Sequence, residues 1–241
     1  MPSREQHDLL LRHALKPRDF WWTVIVIDPI AVRLLPALVR TRWISPTGIS
    51  LAALTIGAAS VVSFAWGALF AGAIIYQVRF LLDCLDGKLA RVTGRASEWG
   101  RFVDLAGDTV TIGAAYAALG YHAMSEQVEG AWTILLLLPT FALAVWLHQY
   151  QRGVWSDGSS GEGHEHAPGR VRVWSWSRLN RYPGSVEVET LVLLVFPVAL
   201  PLDWFPGIAA IASLFYLVSS AEVVRDLRRQ LRTAGSAEPP E

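Results

Sequence analysis

Residues Ala68 to His122 read ALFAGAIIYQVRFLLDCLDGKLARVTGRASEWGRFVDLAGDTVTIGAAYAALGYH. Two apolar runs, Ala68 to Asp86 and Phe102 to His122, flank a charged connection. Each is close to the ~20 residues a helix needs to cross roughly 30 Å of hydrocarbon. The stretch therefore reads as a pair of membrane helices joined by a polar turn, with aspartates where the apolar runs meet it. Backbone groups in lipid must be satisfied internally, which favours helices for runs of this length.

Working outward, four more apolar runs appear: Gly48 to Trp66, Ala131 to His148, Val188 to Leu202 and Pro206 to Val224. The expected fold is an all-α integral membrane bundle of six transmembrane helices. Of the six runs, Val188 to Leu202 is the shortest, and it carries Pro197 and Pro201. A further apolar stretch, Phe20 to Leu38, is interrupted by Asp28, Pro29, Arg33 and Pro36. With the charged segment from Arg4 to Asp19 it reads as an N-terminal interfacial amphipathic segment, lying on the membrane surface. The first twenty residues have no uninterrupted apolar core and no small-residue cleavage site, so no secretory signal peptide is expected. The expected division is residues 1–45 as the interfacial segment, 46–225 as the six-helix domain and 226–241 as a tail.

Composition agrees with this class. Of 241 residues, 52% are apolar and only 17% charged, which is too greasy for an ordinary soluble domain. The 21 basic residues balance 21 acidic ones, so no global basic field points to a nucleic-acid partner. The single Cys84 excludes an internal disulfide. Twenty of the 21 Lys and Arg residues fall before Pro46, between the second and third runs, between the fourth and fifth, or after the sixth. The positive-inside rule then places both termini and both basic loops in the cytoplasm. Residues 156–169 (SDGSSGEGHEHAPG) read as a flexible insertion, and His164, Glu165 and His166 within it as a solvated cluster. The last eight residues, AGSAEPPE, read as a disordered tail.

Four carboxylates sit where lipid would exclude them: Asp83, Asp86, Asp104 and Asp108. Burying an isolated charge in apolar surroundings is costly, so such residues are read as functional. At 100° per residue Asp83, Asp86 and Ala90 fall within about 60° of one another, and Asp104 and Asp108 within about 40°. Each helix thus presents its pair on one face, with Gly87 and Gly100 on the same faces. Ser97 is placed to cap the second helix of the pair. Hard oxygen donors without His or Cys favour Mg²⁺ or Mn²⁺ over Zn²⁺. The competing reading is a set of ion pairs with Lys88, Arg91, Arg95 and Arg101.

Residues Asp83 to Asp108, DCLDGKLARVTGRASEWGRFVDLAGD, fit DxxDGxxARx₈GxxxDxxxD at every fixed position. This resembles the signature of the CDP-alcohol phosphotransferase family, membrane enzymes that move a substituted phosphate from a CDP-linked donor to an alcohol and release CMP. Upstream, Pro46 to Ser50 (PTGIS) resembles the family's PNxxT-like start of the first helix, with Thr47 for Asn and Ser50 for Thr. The resemblance implies that Asp83, Asp86 and Asp104 ligate a metal pair, Mg²⁺ or Mn²⁺, and that Asp108 both touches metal and acts as catalytic base. It implies a CDP site at Gly87, Ala90, Arg91 and Gly100. It also makes Arg178 and Arg181 candidates for holding an acceptor's phosphate, since a planar bidentate donor suits that task. Partners implied are a CDP-linked lipid donor such as CDP-diacylglycerol, an alcohol or sugar-alcohol phosphate acceptor, membrane lipids and a second copy of the chain. Small residues at Gly113, Ala114 and Ala117 would permit the close helix packing a homodimer needs.

Other residues read more simply. Arg79, one turn before Asp83, is expected to pair with one of the acids, and Trp174 and Trp176 to sit at the interface. Two rival functions are a membrane prenyltransferase, which also uses Asp-rich helix ends, and a cation transporter with the aspartates as its path. The acceptor stays open among inositol, inositol phosphate, glycerol phosphate and serine.

The charge distribution yields a topology test. In a Cys84→Ala background, Glu126→Cys and Asp203→Cys should label with a membrane-impermeant thiol reagent from outside the cell, whereas Ser97→Cys and Ser160→Cys should not. Outside labelling of Ser97→Cys would invert the orientation.

Overall fold

The computed structural model describes residues 10–41, 44–156, 173, 175–181 and 184–234. The His164 cluster, Trp174 and residues 235–241 lie outside the described residues. Among the described residues the chain is helical, with a single isolated parallel bridge between Asp19 and Leu179 and no strand.

Seven helical elements follow the opening turns: α1 (Asp28–Arg40), α2 (Pro46–Ala65), α3 (Leu69–Thr93), α4 (Glu98–Ser125), α5 (Ile134–Ser156), α6 and α7 (Phe205–Ala234). α6 is composite, made of Ser185–Thr190, a π-helical stretch at Leu191–Val195, and Phe196–Ala199. Pro197 lacks the N–H that a regular turn would direct at Leu193, and the wide π turn precedes it. α7 runs without a break past residue 225, beyond the expected start of the tail.

Local sequence sets the boundaries around the acidic stretch. Ser45 caps α2, its Oγ accepting from Gly48 N at 3.0 Å, with Pro46 in the first turn. α3 stops at Gly94, whose φ of +64° is the left-handed conformation a glycine allows without strain. Ser97 caps α4 as expected, accepting from Gly100 N at 3.0 Å. The turn between the two acidic helix ends is therefore built from a C-terminal glycine and an N-terminal serine only three residues apart.

α2 packs against both α3 and α4, and α5 pairs with α7. Close approach depends on missing side chains: a Cβ at Gly57 would come within 2.6 Å of Thr111, and one at Gly107 within 2.6 Å of Leu54. In a bilayer such contacts hold helices together by van der Waals packing rather than by removal of apolar surface from water. The core runs along α3 to α7 and contains Tyr116 and Tyr216, whose hydroxyls lie 2.9 Å apart, with Phe141 edge-on to both rings.

Four helical stretches are long and apolar enough to cross a membrane: Pro46–Ala65, Glu98–Ser125, Ala131–Gln151 and Leu202–Arg232. Large apolar side chains such as Leu51, Phe70, Val110, Leu135 and Leu214 point outward from the bundle. The chain is an integral membrane protein on these grounds. Six spans were expected, and α3 and α6 fall outside the four for different reasons. α3 is long enough at 25 residues but carries Arg79, Asp83, Asp86, Lys88 and Arg91 in its second half. The 185–199 segment reaches only about 22 Å at the helical rise.

The N-terminal segment packs onto the bundle through one face of α1. α1 turns Val32 and Leu35 toward Leu11, Leu15, Ile49 and Leu89, and leaves Ile30, Leu34 and Val39 exposed. Its first residue carries an unexpected load. Asp28 is fully buried between two cations, with Lys88 Nζ 2.9 Å from Oδ1 and Arg178 Nη2 2.6 Å from Oδ2. This triad joins α1, the end of α3 and the approach to α6. A second clip lies beside it: Glu187 accepts from the backbone N–H of Trp21 and Gly184, each at 2.6 Å. Removing one member of a buried ion pair strands the others, at about 3–5 kcal/mol. Asp28→Ala should lower the thermal unfolding midpoint in detergent accordingly; an unchanged midpoint would mean that Lys88 and Arg178 are re-solvated without cost.

Candidate metal centre and nucleotide pocket

One face of α3 and one of α4 supply the carboxylates. Asp83, Asp104 and Asp108 each place a carboxylate oxygen within 4.8 Å of the other two. Positions 104 and 108 are one turn apart, and Asp83 meets them from the neighbouring helix, as the spacing predicts. These three oxygens could hold a metal ion. Asp104 Oδ1 is buried with no hydrogen-bond partner, a costly state for a carboxylate unless a cation satisfies it. An all-oxygen donor set suits a hard divalent cation.

Asp86 lies outside this trio. It is buried one turn further along α3 and accepts a 2.5 Å hydrogen bond from Ser50 Oγ. Ser50 is the last residue of the PTGIS segment, so the two parts of the sequence singled out above touch at this bond.

Arg79 supplies the balancing charge. Its guanidinium is 2% exposed, ion-paired to Asp108 and 3.9 Å from Asp83. It lies 5.6 Å from the ring centroid of Tyr76, whose hydroxyl faces the buried Glu189 at 3.5 Å. Pairing with the acids is the role expected for Arg79. The four cations of the competing ion-pair reading go elsewhere where their partners are seen: Lys88 pairs with Asp28, Arg101 with Glu98, and Arg91 donates to the Ala14 carbonyl at 2.9 Å.

The trio opens on a cavity of about 730 Å³. Gly87, Lys88 and Arg91 line it on the α3 side, with Lys16, Asp19 and Thr23 from the N-terminal segment. His148, Gln149, Glu189, Ser219 and Glu222 line it on the side of α5, α6 and α7. Of the residues expected at a CDP site, Gly87 and Arg91 border the cavity. Ala90 is half-buried outside the lining, and Gly100 serves as the amide that Ser97 caps.

The two arginines expected at an acceptor site part company. Arg178 is 4% exposed and does not border the cavity. Besides Asp28, it donates to the carbonyls of Lys16 at 3.2 Å and of Val173. Every nitrogen of its guanidinium thus has a partner inside the protein, and the buried side chain is not presented to the cavity. Arg181 is exposed. Sequence reading passed over Glu189 and Asp28. Glu189 had a visible signal, a carboxylate entering the apolar run LVLLV. Asp28 interrupts an apolar run in the same way, but its partner Arg178 is 150 residues distant and no local pattern names it.

Comparison with known proteins places this geometry. The sequence profile of the CDP-alcohol phosphatidyltransferase family matches residues 43–218. The phosphatidylinositol phosphate synthase of Streptomyces avermitilis is 31% identical over 120 residues, 49% of this chain and 46% of that protein. The phosphatidylinositol phosphate synthase of Cutibacterium acnes is 31% identical over 113 residues, 46% and 51% of the two chains. The matched stretch thus spans about half the length of these curated relatives. The crystal structure of Mycobacterium tuberculosis phosphatidylinositol phosphate synthase with CDP-DAG bound has a TM-score of 0.57 at 20% identity, covering 83% of this chain and 92% of that one. Its complex with manganese and citrate gives 0.57 at 19%, covering 83% and 88%. These structures share the fold. With nearly three-quarters of its length matched and the acidic signature intact, the chain belongs to the CDP-alcohol phosphatidyltransferase family.

Proposed function

We propose that this chain is a membrane transferase that moves a substituted phosphate, phosphatidyl in the first instance, from a CDP-linked lipid such as CDP-diacylglycerol to an alcohol, releasing CMP. The observation that carries the reading is the carboxylate trio on α3 and α4 at the wall of a 730 Å³ cavity, in a chain of this family. Family membership sets aside the prenyltransferase and transporter readings.

In this reading Asp83, Asp104 and Asp108 hold a divalent cation, Mg²⁺ or Mn²⁺, and Asp86 joins them if Ser50 releases it, completing a two-metal site. The manganese present in a structural neighbour supports a metal of this class. A bound cation supplies positive charge against the diphosphate and the departing CMP, where negative charge builds during transfer. The protein's own groups do the rest. Gly87 and Arg91 border the donor's nucleotide, the absent side chain of Gly87 allowing close approach and Arg91 offering charge. Ala90 and Gly100 are assigned to the same site by the family signature, although neither lines the cavity. Asp108 accepts the proton of the attacking hydroxyl, for which it must lie within about 3 Å of it. Arg79 holds Asp108 and Asp83 in place and offsets part of their charge.

For the acceptor, the relatives' names put a sugar-alcohol phosphate first. Arg181 is the surviving candidate for its phosphate, and Arg178 acts by positioning the Asp28 triad rather than by touching the acceptor. Glu189, Gln149 and His148 suit hydroxyl recognition deeper in the cavity.

The topology proposed with this function has six spans, α3 and α6 completing the four apolar stretches, with both termini and the acidic site facing the cytoplasm. The segment before residue 46 lies at the interface, residues 46–225 form the transferase bundle, and two copies associate.

Purified protein in mixed micelles should release CMP from CDP-diacylglycerol only with Mg²⁺ or Mn²⁺ present and lose that activity to a chelator; full turnover in metal-free buffer would refute the site. Asp108→Asn should lower kcat by about a hundredfold to ten-thousandfold, the usual contribution of a positioned base, while weakening donor binding far less. A loss confined to donor affinity would make Asp108 a ligand and nothing more.

A further inference from the structure

Four arginines near the end of α7 take no part in the site described above. Arg225, Arg228, Arg229 and Arg232 are spaced three, one and three residues apart, so they share one helix face. None pairs with a carboxylate among the described residues. The same face runs back through Val224 and Leu217, and Leu143 and Leu147 of α5 stand across from it. Together they bound a groove of about 710 Å³ between the two helices. From Leu217 to Arg232 it passes from apolar to strongly basic over about 22 Å of helix. Ser220, also on the groove wall, is 4% exposed and has a buried hydroxyl without a hydrogen-bond partner.

We propose that this groove holds one anionic phospholipid, its phosphate on the arginines and an acyl chain along Leu143, Leu147 and Leu217. The polarity gradient is that of the ligand: hydrocarbon toward the middle of the span, a phosphate ester at its end. Planar guanidinium forks suit phosphate oxygens. The free hydroxyl of Ser220 lies between the two halves, at the depth of the glycerol esters. A second copy of the chain is a poor occupant, because a two-fold contact centred on this groove would bring two clusters of four arginines together. The groove is separate from the carboxylate cavity, so the proposal stands whether or not the transfer reaction does.

The test uses the full-length purified protein, delipidated in mild detergent and incubated with phosphatidylglycerol or phosphatidylcholine before native mass spectrometry. One phosphatidylglycerol per chain should survive activation that strips phosphatidylcholine. Two variants separate charge from shape: the combined Arg225→Gln, Arg228→Gln, Arg229→Gln and Arg232→Gln protein, and Ala221→Phe, which fills the groove while leaving every arginine. Both should cut retained phosphatidylglycerol by about tenfold or more, the effect of losing even one charge-assisted contact. Thermal midpoints in phosphatidylcholine matching the parent's confirm that each variant is folded; should Ala221→Phe fail that check, Leu143→Trp obstructs the groove from the opposite wall and is read in its place. Equal retention of both lipids by the parent would overturn the proposal. So would undiminished retention in the folded groove-filling variant, which would mean ordinary lipid contact at the arginines. Raising the parent's midpoint as far with inorganic phosphate as with phosphatidylglycerol would instead assign a soluble-anion site and equally overturn it.

Discussion

Three carboxylate oxygens gathered within 4.8 Å of one another repel, and most of the remaining structure can be read as an answer to that repulsion. At an effective dielectric of roughly 20, two unit charges at this distance oppose each other by about 3.5 kcal/mol. Among the described residues Arg79 is the guanidinium paired with them, so with all three ionised two negative charges would remain uncompensated. A divalent cation would offset that surplus, which Arg79 alone does not. The other basic residues of the signature do not neutralise the surplus, because Lys88 is taken up by Asp28 and Arg91 by the Ala14 carbonyl. Lys88 and Arg91 point back toward the N-terminal segment, leaving the carboxylates open to the cavity.

A charged site at the edge of a lipid bundle needs walls that do not drift. The helices bearing the acids are held by close packing through Gly57 and Gly107 on one side, and by buried polar links on the other. The Asp28 triad fixes the N-terminal segment to α3 and to the approach to α6, while Glu187 fastens the start of α6 to Trp21. Lys16, Asp19 and Thr23 reach the cavity because of these links. The N-terminal segment, which in sequence looks like a surface attachment, is thereby a wall of the site.

Much of the site was legible because its determinants are local. Asp83 and Asp86 share a face by helical period, Asp104 and Asp108 likewise, and Ser97 follows Gly94 at the spacing of a helix stop and restart. What sequence could not supply was which of the four carboxylates converge. Asp86 is drawn off by Ser50, a partner 36 residues upstream on another helix. Arg178 reads as a positive flank in sequence, yet its guanidinium is taken up by Asp28, across 150 residues. The fifth apolar run announced its irregularity through Pro197 and Pro201, and the π-helical turn at Leu191–Val195 falls just ahead of Pro197, whose ring supplies no N–H.

If the trio binds a cation, direct metal binding will register it without relying on turnover. Electron paramagnetic resonance of the purified protein titrated with Mn²⁺ should show loss of the free six-line signal on addition of protein. The affinity should fall by at least about tenfold in Asp104→Asn, which removes the charge of the carboxylate with the unpartnered buried oxygen. Mn²⁺ binding that is absent in the parent, or equally tight in Asp104→Asn, would contradict the account.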